Sequence, residues 1–175
     1  MSRRDHVADR CATCRLYAAL CICALVPTPP LAVTTRLRLV LHRLEARKPT
    51  NSGQLAARCL AGSEVVIRGE IGAPSERIDA APGTRLLLLF PHEGARELTA
   101  ADGPATLVVP DGTWRQASKT RARVPGLADA DVVTLPPGAP SRYHLRAEAH
   151  PHGLSTLEAI ARAIGILDGA AAQAA

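Results

Sequence analysis

The sequence predicts an α/β fold on a largely parallel sheet, preceded by a small cysteine-bearing module. Three observations carry this expectation. Short apolar, β-branched runs recur along the 175-residue chain, segments of helical composition separate several of them, and Pro27, Pro29 and Pro30 cut off an N-terminal cysteine cluster. The length favours one principal domain with a substantial core. Hydrophobic residues make up 47% of the chain and aromatics 2%, so Leu, Val, Ile and Ala must build that core.

The N-terminal segment holds Cys11, Cys14, Cys21 and Cys23 in the pattern C-x2-C-x6-C-x-C, beside His6. Four thiolates can close a tetrahedral zinc site and so order a segment with too little apolar surface to fold alone. Structural zinc is the preferred reading, with iron–sulfur ligation and a redox pair as competitors. Cys59 lies apart in an Ala-rich helical stretch and reads as a small buried hydrophobe. No signal-peptide region precedes the cluster, and no apolar run approaches membrane-spanning length. The expectation is a cytoplasmic protein with reduced thiols and no membrane partner, divided into a four-cysteine zinc module with linker at 1–30 and a main domain at 31–175.

In the main domain, residues 36–42 alternate Leu37, Leu39 and Leu41 with Arg36, Arg38 and His42, the period of a strand. A loop at 48–53 leads to a helix at 54–60. Further strands are expected at 64–67, 85–90, 105–109 and 131–135. The run 109–118, Val-Pro-Asp-Gly-Thr-Trp-Arg-Gln-Ala-Ser, is a strand end passing into a polar turn, and from Thr113 to Pro125 nothing breaks a helix. Ligands in open parallel sheets bind beyond the carboxyl ends of the strands, which makes Asp111, Thr113 and Trp114 site candidates. The rival reading has Asp111 capping the helix and Trp114 filling core. Ser155 and Glu158 fit a capping box that opens a last helix, with Leu157, Ile160, Ala161 and Ile164 on one face and a frayed tail after Asp168.

The net charge of +5 is compatible with a polyanionic partner without requiring one. No Walker-type phosphate loop, dinucleotide fingerprint or G-x-S-x-G elbow is present, which disfavours nucleotide hydrolysis, dinucleotide binding and esterase chemistry.

Six blocks follow one another in order: C-x2-C-x6-C-x-C; His42-x2-Glu45-x2-Lys48-x-Thr50-Asn51-Ser52-Gly53; Phe90-Pro91; Asp111-x-Thr113-Trp114; Ser141-x-Tyr143-x2-Arg146; and Ser155-Thr156-x-Glu158-Ala159. Together they resemble the DTW-domain family, whose bacterial members are tRNA-uridine aminocarboxypropyltransferases. The resemblance spans roughly 10–167. Ser52 stands where the family usually has threonine, and Gln54 where arginine is common.

The resemblance implies a SPOUT-like, mostly parallel α/β sheet whose C-terminal segment threads a knot, a rare topology that periodicity cannot reveal. It also implies transfer of the 3-amino-3-carboxypropyl group of S-adenosylmethionine to N3 of a uridine in the variable loop of tRNA. Asp111 becomes the candidate to receive or orient the N3 proton. An unperturbed aspartate, at about 3.9, is a weak base for an imide, so either burial raises it or its role is partly positional. Phe90, Pro91, Thr113, Trp114, Arg146, Leu154, Ser155 and Thr156 become candidates to bind the donor, and Arg47, Lys48, Arg115, Lys119, Arg121 and Arg123 to contact RNA phosphates. Strand termination, helix capping, core packing and surface charge are the rival readings of these residues. For the whole chain, the alternatives are a zinc-containing RNA-binding module without catalysis and a SPOUT-type RNA methyltransferase. No feature of the sequence reveals an oligomeric interface.

Overall fold

The computed structural model describes residues 9–143 and 153–174. Its centre is a six-stranded sheet in the order β2-β1-β5-β3-β6-β4, with every pair parallel. The strands are β1 (Arg36–His42), β2 (Glu64–Arg68), β3 (Arg85–Leu89), β4 (Arg96–Glu97), β5 (Ala105–Asp111) and β6 (Asp131–Thr134). The sheet is parallel because each crossover returns the chain to the same edge before the next strand begins. Central β5 is buried at all seven residues, as expected of a strand covered on both faces.

The two faces are covered differently. Leu37, Leu39, Leu87, Leu107 and Val133 pack against Ala56 of α2 (Ser52–Cys59) and against Ile160, Ala163 and Ile164 of α5 (Thr156–Asp168). On the opposite face Val40, Val66, Leu88 and Val108 meet Ile78, Val124, Leu127 and Ala130, most of which lie in irregular chain. Gly126 makes that cover possible: its φ is +92°, and a Cβ there would lie 2.0 Å from the Ile78 carbonyl oxygen.

Several element boundaries differ from the sequence expectation. The predicted continuous helix after Thr113 is two short ones, α3 (Trp114–Ala117) and α4 (Thr120–Arg123), since Val124 and Leu127 must turn back onto the sheet. β5 runs on through Pro110 and Asp111, because β1 stays in register with it to Leu41↔Asp111. The edge strand β4 is too short for alternation to register. The first helix of the main body is α1 (Arg43–Ala46), which follows β1 directly, and the tail forms α6 (Ala170–Ala174).

Polar contacts fix the ends of the sheet. At the amino edge, the Asp102 carboxylate accepts from Arg96 (2.7 and 2.9 Å), Arg85 (3.1 Å) and the Thr99 amide (2.8 Å). Arg96 chiefly holds its carboxyl down to about 2. Asp168, at the end of α5, accepts from the Thr34 amide and hydroxyl, each at 2.6 Å. α5 therefore runs antiparallel to the strands and presents its N-terminus at their carboxyl edge.

Candidate functional site

The carboxyl ends of the strands enclose a cavity of about 600 Å³. Asp111 and Gly112 beyond β5, Phe90 and Pro91 beyond β3, and the segment after β6 form its walls, together with the N-terminal turns of α2 and α5.

Asp111 is 8% exposed. Its Oδ2 accepts from Asn51 Nδ2 at 2.9 Å, while Asn51 Oδ1 accepts from the Gln54 amide at 2.8 Å as the N-cap of α2. The cap fixes which end of the amide is oxygen and so turns its NH2 toward the carboxylate. Gly53 lets the helix come this close: a Cβ there would stand 2.3 Å from Asp111 Oδ2. The α3 cap belongs to Thr113, whose Oγ1 accepts from the Gln116 amide at 3.3 Å while Gln116 Oε1 accepts from the Thr113 amide at 2.8 Å.

Trp114 remains 38% exposed on the cavity wall. Its ring lies 5.7 Å from that of Phe90 at 57°, a tilted pair that leaves much of the indole outside the core.

The floor and far wall are held by Glu158. Its carboxylate accepts from the Ser141 hydroxyl (2.7 Å), the Arg142 amide (2.7 Å) and the Ser155 amide (2.9 Å), tying the segment after β6 to the α5 cap. Burial alone would raise the Glu158 carboxyl, but these donors outweigh it and hold it down to about 2. One turn further, Arg162 donates to the Ala139 carbonyl and lines the cavity from the same helix.

Of the residues expected to bind a donor, Phe90, Pro91, Trp114, Leu154, Ser155 and Thr156 all line this cavity. Thr113 caps α3 and is not among the lining residues. Arg146 lies outside the described residues, as does His6. The six cations expected to meet RNA are all exposed and lie outside the lining. Two of them already have protein partners: Lys48 pairs with Glu45 at 2.6 Å, and Arg121 donates to the Ala128 carbonyl at 2.9 Å. Asn51, Ser141 and Glu158 occur in the sequence blocks without an assigned role in the site. Nothing in the sequence pointed to Arg162.

In the N-terminal segment, the ligand atoms of Cys11, Cys14, Cys21 and Cys23 lie within 4.8 Å of one another. The Cys11–Cys23 and Cys14–Cys21 sulfur separations are both 3.8 Å. A disulfide requires about 2.05 Å. Four thiolates about 2.3 Å from one tetrahedral ion stand about 3.8 Å apart, so this group can hold a metal ion. Within the group the thiols differ: backbone hydrogen bonds from Cys14 and Thr13 chiefly hold Cys11 down to about 6, while Cys21, against a backbone hydrogen bond from Cys23, is pushed up to about 11 by the Cys11 thiol and burial. Arg58 of α2 donates to Cys23 Sγ at 3.4 Å and links the cluster to the helix that carries Asn51. Cys59 is half buried beside it, with its thiol raised by burial.

A family model described as the DTW domain matches residues 8–175. The chain is 31% identical over 170 residues to the tRNA-uridine aminocarboxypropyltransferase 2 of Drosophila melanogaster, covering 91% of this chain and 67% of that protein. Proteins of the same name from Macaca fascicularis and Mus musculus are 29% and 27% identical, over 90% and 94% of this chain and 56% and 59% of their own lengths. The chain thus spans little more than half to two thirds of these relatives. No solved structure matches it.

Proposed function

We propose that this chain, as it belongs to the DTW domain family, transfers the 3-amino-3-carboxypropyl group of S-adenosylmethionine to N3 of a uridine in tRNA. The observation that carries this reading is the buried Asp111–Asn51 pair on the wall of a cavity built from five of the family's sequence blocks. The three named relatives support the same reaction and the same RNA substrate.

The cavity fits the donor in size and in kind. Its volume of about 600 Å³ falls within the range of small-molecule sites, and Phe90, Pro91, Trp114 and Leu154 offer the apolar surface an adenosine needs. When bound, the sulfonium supplies three activated carbons. This chain's residues must select one of them by orientation, since methyl transfer is sterically the easiest outcome. The first-turn amides of α5, at Thr156 and beyond, favour the donor's carboxylate. Trp114 stacks on a base or on adenine. Asp111, oriented by Asn51, faces the uridine and receives or orients the N3 proton. Attack by N3 forms the new N–C bond and breaks the C–S bond, releasing methylthioadenosine.

The same reading assigns a SPOUT-like knotted topology to the main domain at 31–175, structural zinc on the four cysteines of the module at 1–30, and a cytoplasmic location. Among the described residues, no helix is long and apolar enough to cross a membrane.

The test is incubation with S-adenosylmethionine and unmodified tRNA, followed by mass spectrometry of nucleosides and of the spent donor. Aminocarboxypropyl-uridine with methylthioadenosine is the expected result. S-adenosylhomocysteine would indicate a methyltransferase, and absence of donor binding would indicate an RNA-binding module.

A further inference from the structure

A second polar cluster occupies the carboxyl ends of β1 and β2, where His42 and Arg68 stand opposite each other in register. Arg68 is 4% exposed. Its Nη2 donates to the Gln116 carbonyl, while its Nε is buried without a partner. Among the described residues, no carboxylate forms an ion pair with its guanidinium. A buried charge without a counter-charge is costly, and arginines buried in protein interiors ordinarily have one.

The neighbours add to that positive charge. Burial first, and then the charge of Arg123, push Arg68 below its ordinary value. His42 is likewise held down by burial, by Arg68 and by Arg43, with only Glu45 opposing. The ring therefore favours its neutral form. Its Nδ1 accepts from the Leu44 amide at 3.3 Å, which leaves the proton on Nε2 as a donor. Gly69, with φ +83°, keeps that nitrogen clear: a Cβ there would lie 3.2 Å from it. The cluster adjoins Gly112, whose Cβ position is 3.4 Å from His42 Cβ, so it borders the turn that follows Asp111.

We infer that Arg68, His42 and Arg123 form an anion site for a backbone phosphodiester of RNA, beside the cavity that takes the target nucleotide. This rests on the tRNA reading and extends it. Arg68 supplies a fixed buried charge, the half-buried His42 donates from Nε2, and exposed Arg123, whose charge reaches Arg68, adds a second guanidinium. Unlike the surface cations Arg47 or Lys119, the site is prebuilt. Its buried charge is already in place before RNA arrives.

The probe is inorganic phosphate at constant ionic strength, with chloride as the control, read as a shift in Tm without donor or tRNA. Wild-type protein should be stabilised by phosphate. Arg68→Met should lose that shift while melting no lower than wild type in chloride, because it removes an unpaired buried charge. A flat wild-type response, or a shift retained in Arg68→Met, would overturn the site. So would a large loss of Tm in chloride by a folded Arg68→Met, which marks a purely structural arginine. Should that variant not fold, the double variant His42→Gln, Arg123→Gln takes its place, and retention of the phosphate shift there overturns the site equally. A second arm separates free phosphate from RNA. Phosphate should compete with tRNA on the wild type and fail to do so on the variant; phosphate binding without competition overturns the RNA assignment. Neither Tm arm involves transfer, so failure of the transferase reading would appear only in the nucleoside products.

Discussion

Asn51 and Asp111, 60 residues apart in sequence, are joined by one hydrogen bond of 2.9 Å, and the same Asn51 amide caps α2 through its oxygen. The helix cap and the carboxylate's orientation are therefore one device. Asp111→Asn should abolish turnover and leave donor binding nearly unchanged, as measured by nucleoside mass spectrometry and calorimetry; normal turnover would remove Asp111 from catalysis. Asn51→Ala should lower kcat roughly 10- to 100-fold, as expected for a charge-assisted hydrogen bond of about 1.5–3 kcal/mol, with donor affinity held. An unchanged kcat would reduce Asn51 to a cap alone.

Gly53 supplies an independent check on the same contact. Alanine is favoured over glycine within a helix by about 1 kcal/mol, so Gly53→Ala would ordinarily stabilise α2. Here the new methyl would meet Asp111 Oδ2 at 2.3 Å, Leu39 at 3.0 Å and Thr156 at 3.1 Å. We expect turnover to fall by at least about tenfold while Tm moves little, the loss arising from a displaced carboxylate. Equal turnover in the variant would show that Asp111 need not hold this position.

Glu158 makes stability depend on acid. Its folded-state value of about 2 lies below the ordinary 4.5, so the folded protein binds fewer protons than the unfolded chain in that interval. The associated stability is fully present above about pH 4.5 and is lost as pH falls toward 2. Asp102, also held near 2, contributes a similar slope. Thermal melts from pH 6 to pH 2.5 should show a shallower decline for Glu158→Gln than for wild type, and identical slopes would remove the clasp from the stability of the site.

The cysteine group should bind one metal ion per chain. Cys11→Ser combined with Cys14→Ser should lose that metal by elemental analysis and lower Tm, since ligand binding in such modules is folding energy. Unchanged metal content would refute the assignment. Arg58→Met should retain the metal, because the guanidinium contacts Cys23 Sγ without replacing a ligand.

Salt should weaken tRNA binding far more than donor binding. Each phosphate contact removed, for example by Lys119→Gln, should reduce the slope of log affinity against log salt by about one. A flat salt response would argue against phosphate contacts altogether.

The strands β1, β2, β3, β5 and β6 were legible because each is a run whose apolar period is visible within a few residues. The Ser155–Glu158 box and the cysteine spacing were legible for the same reason. The split of the helix after Trp114 was not, because it is imposed by Val124 and Leu127 closing the second face of the sheet. Six of the eight expected donor-binding residues were brought to one cavity, yet the clasp between Ser141 and Glu158 lies 17 residues apart and leaves no periodic trace.

By itself, then, the sequence determined five of the six strands, the Ser155–Glu158 cap and where thiols gather, since these follow from local backbone preference and spacing. Only the tertiary structure decided that Asn51 faces Asp111, that Gly53 must lack a side chain, and that Arg68 is buried with no ion-pairing carboxylate among the described residues. The reason is physical. Those properties arise where carboxyl ends of separate strands and first turns of separate helices converge, and the energy of such a contact depends on distance through space.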